Sequence, residues 1–327
     1  MTLRFAQIEP TTRCNFTCGF CAGRFMRQGD LPYPAFERFL AMHPDLEHVE
    51  LQGEGEPLMH ARFFDLVSAC RARGLRVSLI TNGSLLGLET VEQLIHHGVE
   101  SIHVSLESAD ADEFRVIRGG KLSKVIDGVR LLVRRRRELG RDRPVVGFSV
   151  TILRRTLTAI HDIVELYREL ELDGGIGVQL LQDMSCYTDH YDDAMREQQV
   201  PHELWRGYAW VVDAAVKRAS TRADARSYYG ALFAGFDPAA GTCPWLERGG
   251  YLTIDGEVMA CCFSKKPGQG FGHVLRDSPE EIARRRREAA ESLSRGDIPS
   301  PCRGCGIADA VTGATRGRKV SLPVVDS

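Results

Sequence analysis

Six short β-rich segments alternate with amphipathic helical patterns over the first 182 residues, and this alternation constrains the fold more than any other feature. The segments are "LRFAQIE" (3–9), "EHVELQG" (47–53), "RVSLIT" (76–81), "SIHVSLE" (101–107), "VVGFSVTIL" (145–153) and "IGVQLLQ" (176–182). Strand–helix units of about 30 residues imply right-handed crossovers and a parallel sheet. Six units are too few for a closed eight-stranded barrel, so the chain is predicted to be α/β, either a partial barrel or a doubly wound sheet.

The strand–helix alternation ends after Gln182, and the composition of the chain then changes. A helical pattern begins at Pro201, and from about residue 241 the chain is rich in Gly and Cys. "GGYLTIDGEVMACC" predicts a hairpin with Asp255-Gly256 as its turn. We therefore predict a core over 1–200, a connecting helical segment over 201–240, and a small cysteine-rich hairpin-plus-helix domain with its tail over 241–327.

Composition excludes several classes of function. The 327 residues carry a net charge of −2, which gives no general attraction for nucleic acid. No apolar stretch approaches the roughly 20 residues of a membrane span, and the N-terminus lacks the apolar segment of a signal peptide. We expect a soluble, cytoplasmic protein. In that reducing compartment its ten cysteines are expected to be metal ligands or reactive thiols rather than disulfides.

Three cysteines stand directly after the first strand segment. Cys14, Cys18 and Cys21 have the spacing C-x3-C-x2-C. Thiolates are the ligands of iron–sulfur clusters, and a four-iron cluster held by three of them keeps one iron open. A zinc site that borrows a remote ligand, or unligated core cysteines, are the alternatives.

Other reactive or polar residues follow the later strand segments. In parallel α/β folds the ligand site lies at the carboxyl ends of the strands. The residues that map there are Cys14, Gly53–Glu56, Asn82, Ser105, Thr151–Arg154 and Gln182–Asp183. The sequence therefore predicts one cavity beside a cluster.

Several motifs together resemble the radical S-adenosylmethionine (SAM) superfamily. They are the cysteine loop with Phe20 before its last cysteine, "LQGEGEPLMH" (51–60), "LITNGSLL" (79–86), "HVSLESAD" (103–110) and "FRVIRGGKLSKVIDGVRLL" (114–132). The chain departs from the usual fourth-strand motif in carrying Glu107 where an aspartate is common.

The resemblance implies a partial (β/α)6 barrel and a [4Fe–4S] cluster on Cys14, Cys18 and Cys21, with SAM chelating the open iron. It implies further cofactor contacts from Gly53, Glu54, Gly55, Glu56, Asn82 and Ser105. Arg154, at the end of the fifth strand segment, is a candidate to orient substrate or the SAM carboxylate.

A second cysteine group lies near the C-terminus. Cys243, Cys261, Cys302 and Cys305 could hold zinc or a four-iron cluster. Their order resembles the truncated SPASM (Twitch) domain of radical SAM enzymes, which implies one auxiliary [4Fe–4S] cluster. Adjacent strand residues face opposite ways, so Cys261 and Cys262 cannot easily serve one cluster. We assign Cys261 as the ligand and Cys262 as a buried small apolar residue.

The resemblance implies an oxidoreductase that cleaves SAM reductively and abstracts hydrogen from an unactivated C–H bond. We expect dehydrogenation or epimerisation of a sugar or aminoglycoside, with a loop thiol, Cys186, as candidate hydrogen donor. A peptide (RiPP) epimerase or cross-linking maturase is the alternative, although the chain enters its first strand directly and no leader-binding domain is expected. A zinc-binding or electron-transfer protein without SAM chemistry is a remote alternative. The expected partners are a reductant such as flavodoxin or ferredoxin and a small-molecule or peptide substrate.

Overall fold

The six predicted strands form one parallel sheet in chain order. The computed structural model describes residues 2–219, 232–233, 235–266 and 268–315. The strands are β1 (Phe5–Ile8), β2 (His48–Leu51), β3 (Arg76–Thr81), β4 (Ser101–Ser105), β5 (Val145–Ile152) and β6 (Ile176–Leu180). Each strand pairs in parallel with the next along the chain, from β1 to β6. A doubly wound sheet would reverse its strand order partway, so the structure confirms the partial (β/α)6 barrel.

The crossovers between these strands contain helices. They are α1 (Tyr33–Met42), α2 (Phe63–Ala72), α3 (Leu88–His96), α4 (Ala111–Arg118), α5 (Leu122–Glu138) and α6 (Ile160–Glu169). Alternate strand residues, such as Val49, Val77 and Val104, are completely buried in one core with apolar helix residues such as Leu66 and Val129. Burial of this apolar layer is the main stabilising contribution.

The C-terminal hairpin extends the same sheet. Strand β7 (Tyr251–Leu252) pairs in parallel with β1, aligning Gln7 with Tyr251. Strands β8 (Glu257–Met259) and β9 (Gly272–His273) continue antiparallel. The hairpin was predicted, but its pairing with the first strand was not. Its backbone hydrogen bonds attach the cysteine-rich segment to the barrel edge.

The remaining α-helices of the described ranges lie C-terminal to β6. They are α7 (Ser185–Thr188), α8 (Asp193–Arg196), α9 (His202–Ala219), α10 (Pro244–Glu247), α11 (Pro279–Ser294) and α12 (Gly306–Thr315). Helix α9 packs against α6 and the open β6 edge. Within the described ranges, none of the helices is both long and apolar enough to cross a membrane. The domain boundaries stay predictions.

Candidate functional site

One large cavity of about 910 Å³ opens at the carboxyl ends of the strands. It is lined by ten of the predicted site residues, namely Cys14, Cys18, Cys21, Gly53, Glu54, Gly55, Glu56, Asn82, Ser105 and Cys305. The structure thus brings residues from four strand ends together, as the parallel topology requires. The contact of each of these residues with a cofactor stays a prediction.

The cysteine loop is held by backbone and side-chain donors that would suit thiolate ligands. Asn82 Nδ2 lies 3.7 Å from Cys14 Sγ, and Arg118 Nη1 lies 3.8 Å from Cys18 Sγ. Burial raises the pKa of all three thiols, that of Cys18 to about 11. The free thiols are therefore protonated at neutral pH, and binding of a cluster would displace their protons. The donor set fits a cluster, whose sulfur ligands accept hydrogen bonds of this kind.

Arg118 is held in place by a buried carboxylate. Its Nη2 donates to Glu107 Oε1 at 2.6 Å, and its Nε also contacts Glu107. The two side chains are 8% and 0% exposed. Burial alone would lower the pKa of Arg118, but Glu107 outweighs it and raises that pKa. Glu107, the residue that departs from the usual motif, thus fixes a permanent cation beside Cys18.

The Gly-Glu loop after β2 approaches the cysteine loop closely. A Cβ on Gly55 would lie 2.3 Å from the Thr11 carbonyl oxygen, so only glycine fits there. Glu56 accepts hydrogen bonds from Thr81 Oγ1 and the Asn82 backbone N–H, both at 2.7 Å. Glu56 therefore locks the loop after β2 to the turn after β3.

Glu54 and Lys265 form an ion pair at the cavity wall that the sequence did not suggest. Lys265 Nζ lies 2.5 Å from Glu54 Oε1, and the side chains are 5% and 11% exposed. Tyr187 donates to the same carboxylate at 2.8 Å, and Cys21 Sγ lies 3.3 Å from Glu54 Oε2. Lys265 also donates to the Tyr251 hydroxyl at 3.2 Å. The C-terminal segment thus reaches the loop beside the first cluster site.

The second cysteine group surrounds a smaller cavity with apolar walls. Its lining includes the four predicted ligands Cys243, Cys261, Cys302 and Cys305. Cys262 lines the large cavity instead, with its side chain buried. In the described ranges, no three His, Cys, Asp or Glu side chains are arranged to hold a single metal ion. The four thiols around one apolar cavity fit a cluster, which needs sulfur ligands on several sides.

Cys305 connects the two sites, because it lines both cavities. Burial raises the pKa of its thiol, and the N–H groups of Ile307 and Ala308 oppose that shift. These donors come from the first turn of α12, where backbone N–H groups are free to meet a thiolate.

Two predicted residues line neither cavity. Arg154 is exposed in the 3-10 turn after β5, and it is not among the lining residues. Cys186 donates its S–H to the Phe263 carbonyl at 3.0 Å and is likewise not among those residues. Their proposed roles stay predictions without support from this placement.

Sequence reasoning missed the polar interior of the barrel. Gln7, Glu50, His103, Ser149 and Gln179 point into the cavity from five strands. The signal was available: the strand segments alternate polar and apolar residues, whereas parallel strands buried on both faces are apolar throughout. Polar alternation in a parallel sheet indicates a lumen that holds a ligand.

Comparison with known families identifies the class of protein. The sequence model of the radical SAM superfamily matches residues 8–167, and that of the SPASM iron–sulfur cluster-binding domain matches residues 243–306. The chain belongs to the radical SAM superfamily and carries a C-terminal SPASM domain. These domains imply the predicted cofactors, namely a [4Fe–4S] cluster, an auxiliary cluster and SAM.

Curated relatives are diverse in name. The chain is 28% identical over 216 residues to the tungsten-containing aldehyde ferredoxin oxidoreductase cofactor-modifying protein of Pyrococcus furiosus, covering 62% of this chain and 60% of that protein. It is 32% identical over 185 residues to a GTP 3',8-cyclase of Marinobacter nauticus, covering 53% and 52%. A GTP 3',8-cyclase of Pseudomonas putida is 28% identical over 322 residues, covering 88% and 87%. The chain thus spans less than two thirds of the first two relatives.

Solved structures share the fold. Streptococcus suis SuiB bound to its precursor peptide SuiA superposes with a TM-score of 0.66 at 18% identity, covering 86% of this chain and 64% of SuiB. Native anSMEcpe with bound AdoMet and the Cp18Cys peptide superposes with a TM-score of 0.65 at 15% identity, covering 95% of this chain and 88% of that chain.

Proposed function

We propose that this protein is a radical SAM oxidoreductase that removes two electrons from a C–H-bearing substrate held in the large cavity. The observation that carries the proposal is that Cys305 borders both the large cavity and the four-thiol cavity. A closed auxiliary cluster at that boundary would be adjacent to substrate. An electron acceptor that borders the substrate cavity suits oxidation of a substrate radical.

When bound, the reduced first cluster and SAM supply a 5'-deoxyadenosyl radical that takes a hydrogen atom from a C–H bond. An auxiliary cluster, which Cys243, Cys261, Cys302 and Cys305 would hold, would supply an acceptor for the second electron of the substrate, and the accompanying proton would pass to solvent. A one-electron reductant such as flavodoxin or ferredoxin would restore the first cluster.

The chain's own residues would hold the first cluster and SAM and would keep water away from the substrate. Cys14, Cys18 and Cys21 hold the first cluster, with Arg118 and Asn82 donating to their sulfurs. The Gly53–Glu56 loop and Ser105 line the space beside it and are proposed SAM contacts. Trp205 on α9 covers part of the apolar wall of the cavity, which limits the access of water.

The substrate class is open between a small amino sugar and a peptide. The predicted sugar or aminoglycoside has no counterpart among the relatives described above. SuiB and anSMEcpe hold peptides in their structures, which supports a peptide as the alternative substrate. The relatives that are GTP 3',8-cyclases suggest a nucleotide as a third candidate substrate.

Epimerisation is the second candidate reaction. The position of Cys262 in the cavity wall makes it a better candidate than Cys186 for the hydrogen donor that this reaction needs. Cys262 lines the large cavity, whereas the Cys186 thiol is engaged by Phe263. A cavity thiol could return a hydrogen atom to a substrate radical. The thiyl left on Cys262 would then need one electron and one proton, which the reductant and solvent would supply.

Mass spectrometry of reactions in D₂O separates the two reactions. Holoenzyme with SAM and dithionite would be given 2-deoxystreptamine or a lysine-containing peptide. Dehydrogenation predicts a product two hydrogens lighter, formed by the native protein and abolished in Cys302→Ser/Cys305→Ser. That variant should still cleave SAM, since radical formation needs only the first cluster. A product of unchanged oxidation state that carries one solvent deuterium, and is lost in Cys262→Ser, would instead establish epimerisation.

A further inference from the structure

The floor of the large cavity is rich in hydrogen-bond acceptors. Glu50 is 5% exposed, and its Oε2 accepts a hydrogen bond from the Ser78 hydroxyl at 3.4 Å. The side-chain amide of Gln7 donates to the Gln52 carbonyl oxygen at 3.4 Å, and that of Gln179 donates to Thr151 Oγ1 at 3.2 Å. Their amide oxygens therefore remain as acceptors toward the lumen.

His103 adds a further acceptor. Its Nε2 lies 3.0 Å from the Gly174 carbonyl oxygen, so Nε2 carries the proton and Nδ1 is the acceptor. Burial lowers the pKa of this imidazole, which keeps it neutral at physiological pH. Since His103 lines the cavity with Glu50, the two present acceptors to one ligand.

The cations of the cavity wall are already committed elsewhere. Among its described lining residues, Arg118 pairs with Glu107, and Lys265 pairs with Glu54. Arg24 is exposed and donates to the Thr17 carbonyl at 3.3 Å. Glu50 thus has no cation opposite it within the described residues, and a buried carboxylate in that position favours a positively charged ligand.

We propose that the barrel lumen binds a primary ammonium group of the substrate, with Glu50 as its counter-ion and Gln7 and His103 as additional acceptors. This inference rests on the proposed function and adds the substrate's chemistry to it. An ammonium offers three donors and a charge, which matches a carboxylate among neutral acceptors. A triphosphate is the opposite case, because it needs free cations and would meet the Glu50 carboxylate instead.

The ammonium can belong to an amino sugar or to a lysine side chain, and matched probes distinguish these sources. Binding would be measured calorimetrically on SAM-saturated holoenzyme without reductant, so that no turnover occurs. The probes are glucosamine against glucose, and N-acetyl-Gly-Lys-Gly-amide against its norleucine counterpart, with GTP as the phosphate-bearing probe. The variants are Glu50→Gln, Glu50→Asp, and Glu37→Gln as an exposed control on α1.

We expect one of the two ammonium probes to bind about tenfold or more tightly than its neutral match. Glu50→Gln should abolish that preference, Glu50→Asp should retain part of it, and Glu37→Gln should leave it unchanged. Equal binding within both matched pairs, absence of binding by both ammonium probes, or tight GTP binding that survives Glu50→Gln would each overturn the proposal. Weaker SAM binding in Glu50→Gln would also overturn it, by placing Glu50 in the SAM site.

The proposed function and the ammonium site can be refuted independently of each other. If the same holoenzyme, once reduced, forms 5'-deoxyadenosine while no ammonium probe binds, the function stands and the ammonium site is wrong. If an ammonium probe binds with the expected Glu50 dependence but SAM is not cleaved, the ammonium site stands and the function is wrong.

Discussion

Lys265 Nζ lies 2.5 Å from Glu54 Oε1, and this buried pair joins the segment after the C-terminal hairpin to the loop beside the first cluster site. Burial alone would raise the pKa of Glu54, but Lys265 is the foremost of the groups that together lower it. Lys265, with the Tyr187 hydroxyl and the Cys21 thiol, therefore favours the charged form of this carboxylate.

Removal of the lysine should destabilise the protein. Lys265→Met leaves a buried carboxylate without its cation, which is expected to cost about 3 kcal/mol in the free energy of unfolding. Glu54→Gln in the same chain should restore most of that loss. Arg115→Met, which breaks an exposed pair with Asp112, should cost under about 0.5 kcal/mol. Urea unfolding of the holoenzyme variants measures all three, and a double variant as unstable as Lys265→Met would contradict the account.

The Arg118 guanidinium should set the potential of the first cluster. It is buried and donates to Cys18 Sγ, so its charge favours the reduced, more negative cluster. Arg118→Gln should lower the reduction potential by on the order of 100 mV, while Arg118→Lys should retain most of the native value. An EPR-monitored redox titration provides the measurement. Equal potentials in the native protein and Arg118→Gln would show that this cation does not act on the cluster.

The two adjacent cysteines of the C-terminal domain should behave differently. Cys261 lines the four-thiol cavity and Cys262 lines the large one. Native reconstituted protein should hold about eight iron atoms per chain, as two four-iron clusters require. Cys261→Ala should hold about four, and Cys262→Ala should match the native content. Iron and sulfide analysis tests this, and loss of iron in Cys262→Ala alone would reverse the ligand assignment.

Glu50 should make stability depend on pH. Burial raises its pKa from 4.5 to about 7 in the folded protein. Between those values the folded state keeps a proton that the unfolded chain releases. The contribution of Glu50 to the free energy of unfolding therefore falls as pH rises from about 4.5 to 7, and it stays low above that. Glu50→Gln removes the effect. Its stability relative to the native protein should therefore increase by up to about 3 kcal/mol from pH 4.5 to pH 8, measured by denaturant unfolding. A difference that does not change with pH would refute the burial argument.

Local patterns predicted most of the fold and the first cluster loop. The strand–helix period predicted the parallel order, because each unit has a complete signal of its own in the sequence. Cys14, Asn82 and Glu56 were found because each follows a predicted strand, and parallel strands bring their carboxyl ends together.

Contacts between distant segments could not be predicted in this way. Nothing near Lys265 in the sequence indicates Glu54, and nothing near Tyr251 indicates pairing with Gln7. Arg154 follows a strand as the other site residues do, but the 3-10 turn leaves its side chain exposed. Position at a strand end therefore predicts the neighbourhood of a residue and not the direction of its side chain.

Formation of 5'-deoxyadenosine tests the central claim most directly. Anaerobically reconstituted native protein, given SAM and dithionite, should produce it, and Cys14→Ala/Cys18→Ala/Cys21→Ala should not. Cys70→Ala is the matched control, because this thiol is completely buried in the core and lines neither cavity. It should retain the native yield. SAM cleavage by the triple variant at the native rate, or its absence from native protein with a full iron content, would contradict the assignment of the three thiolates as the site of radical generation.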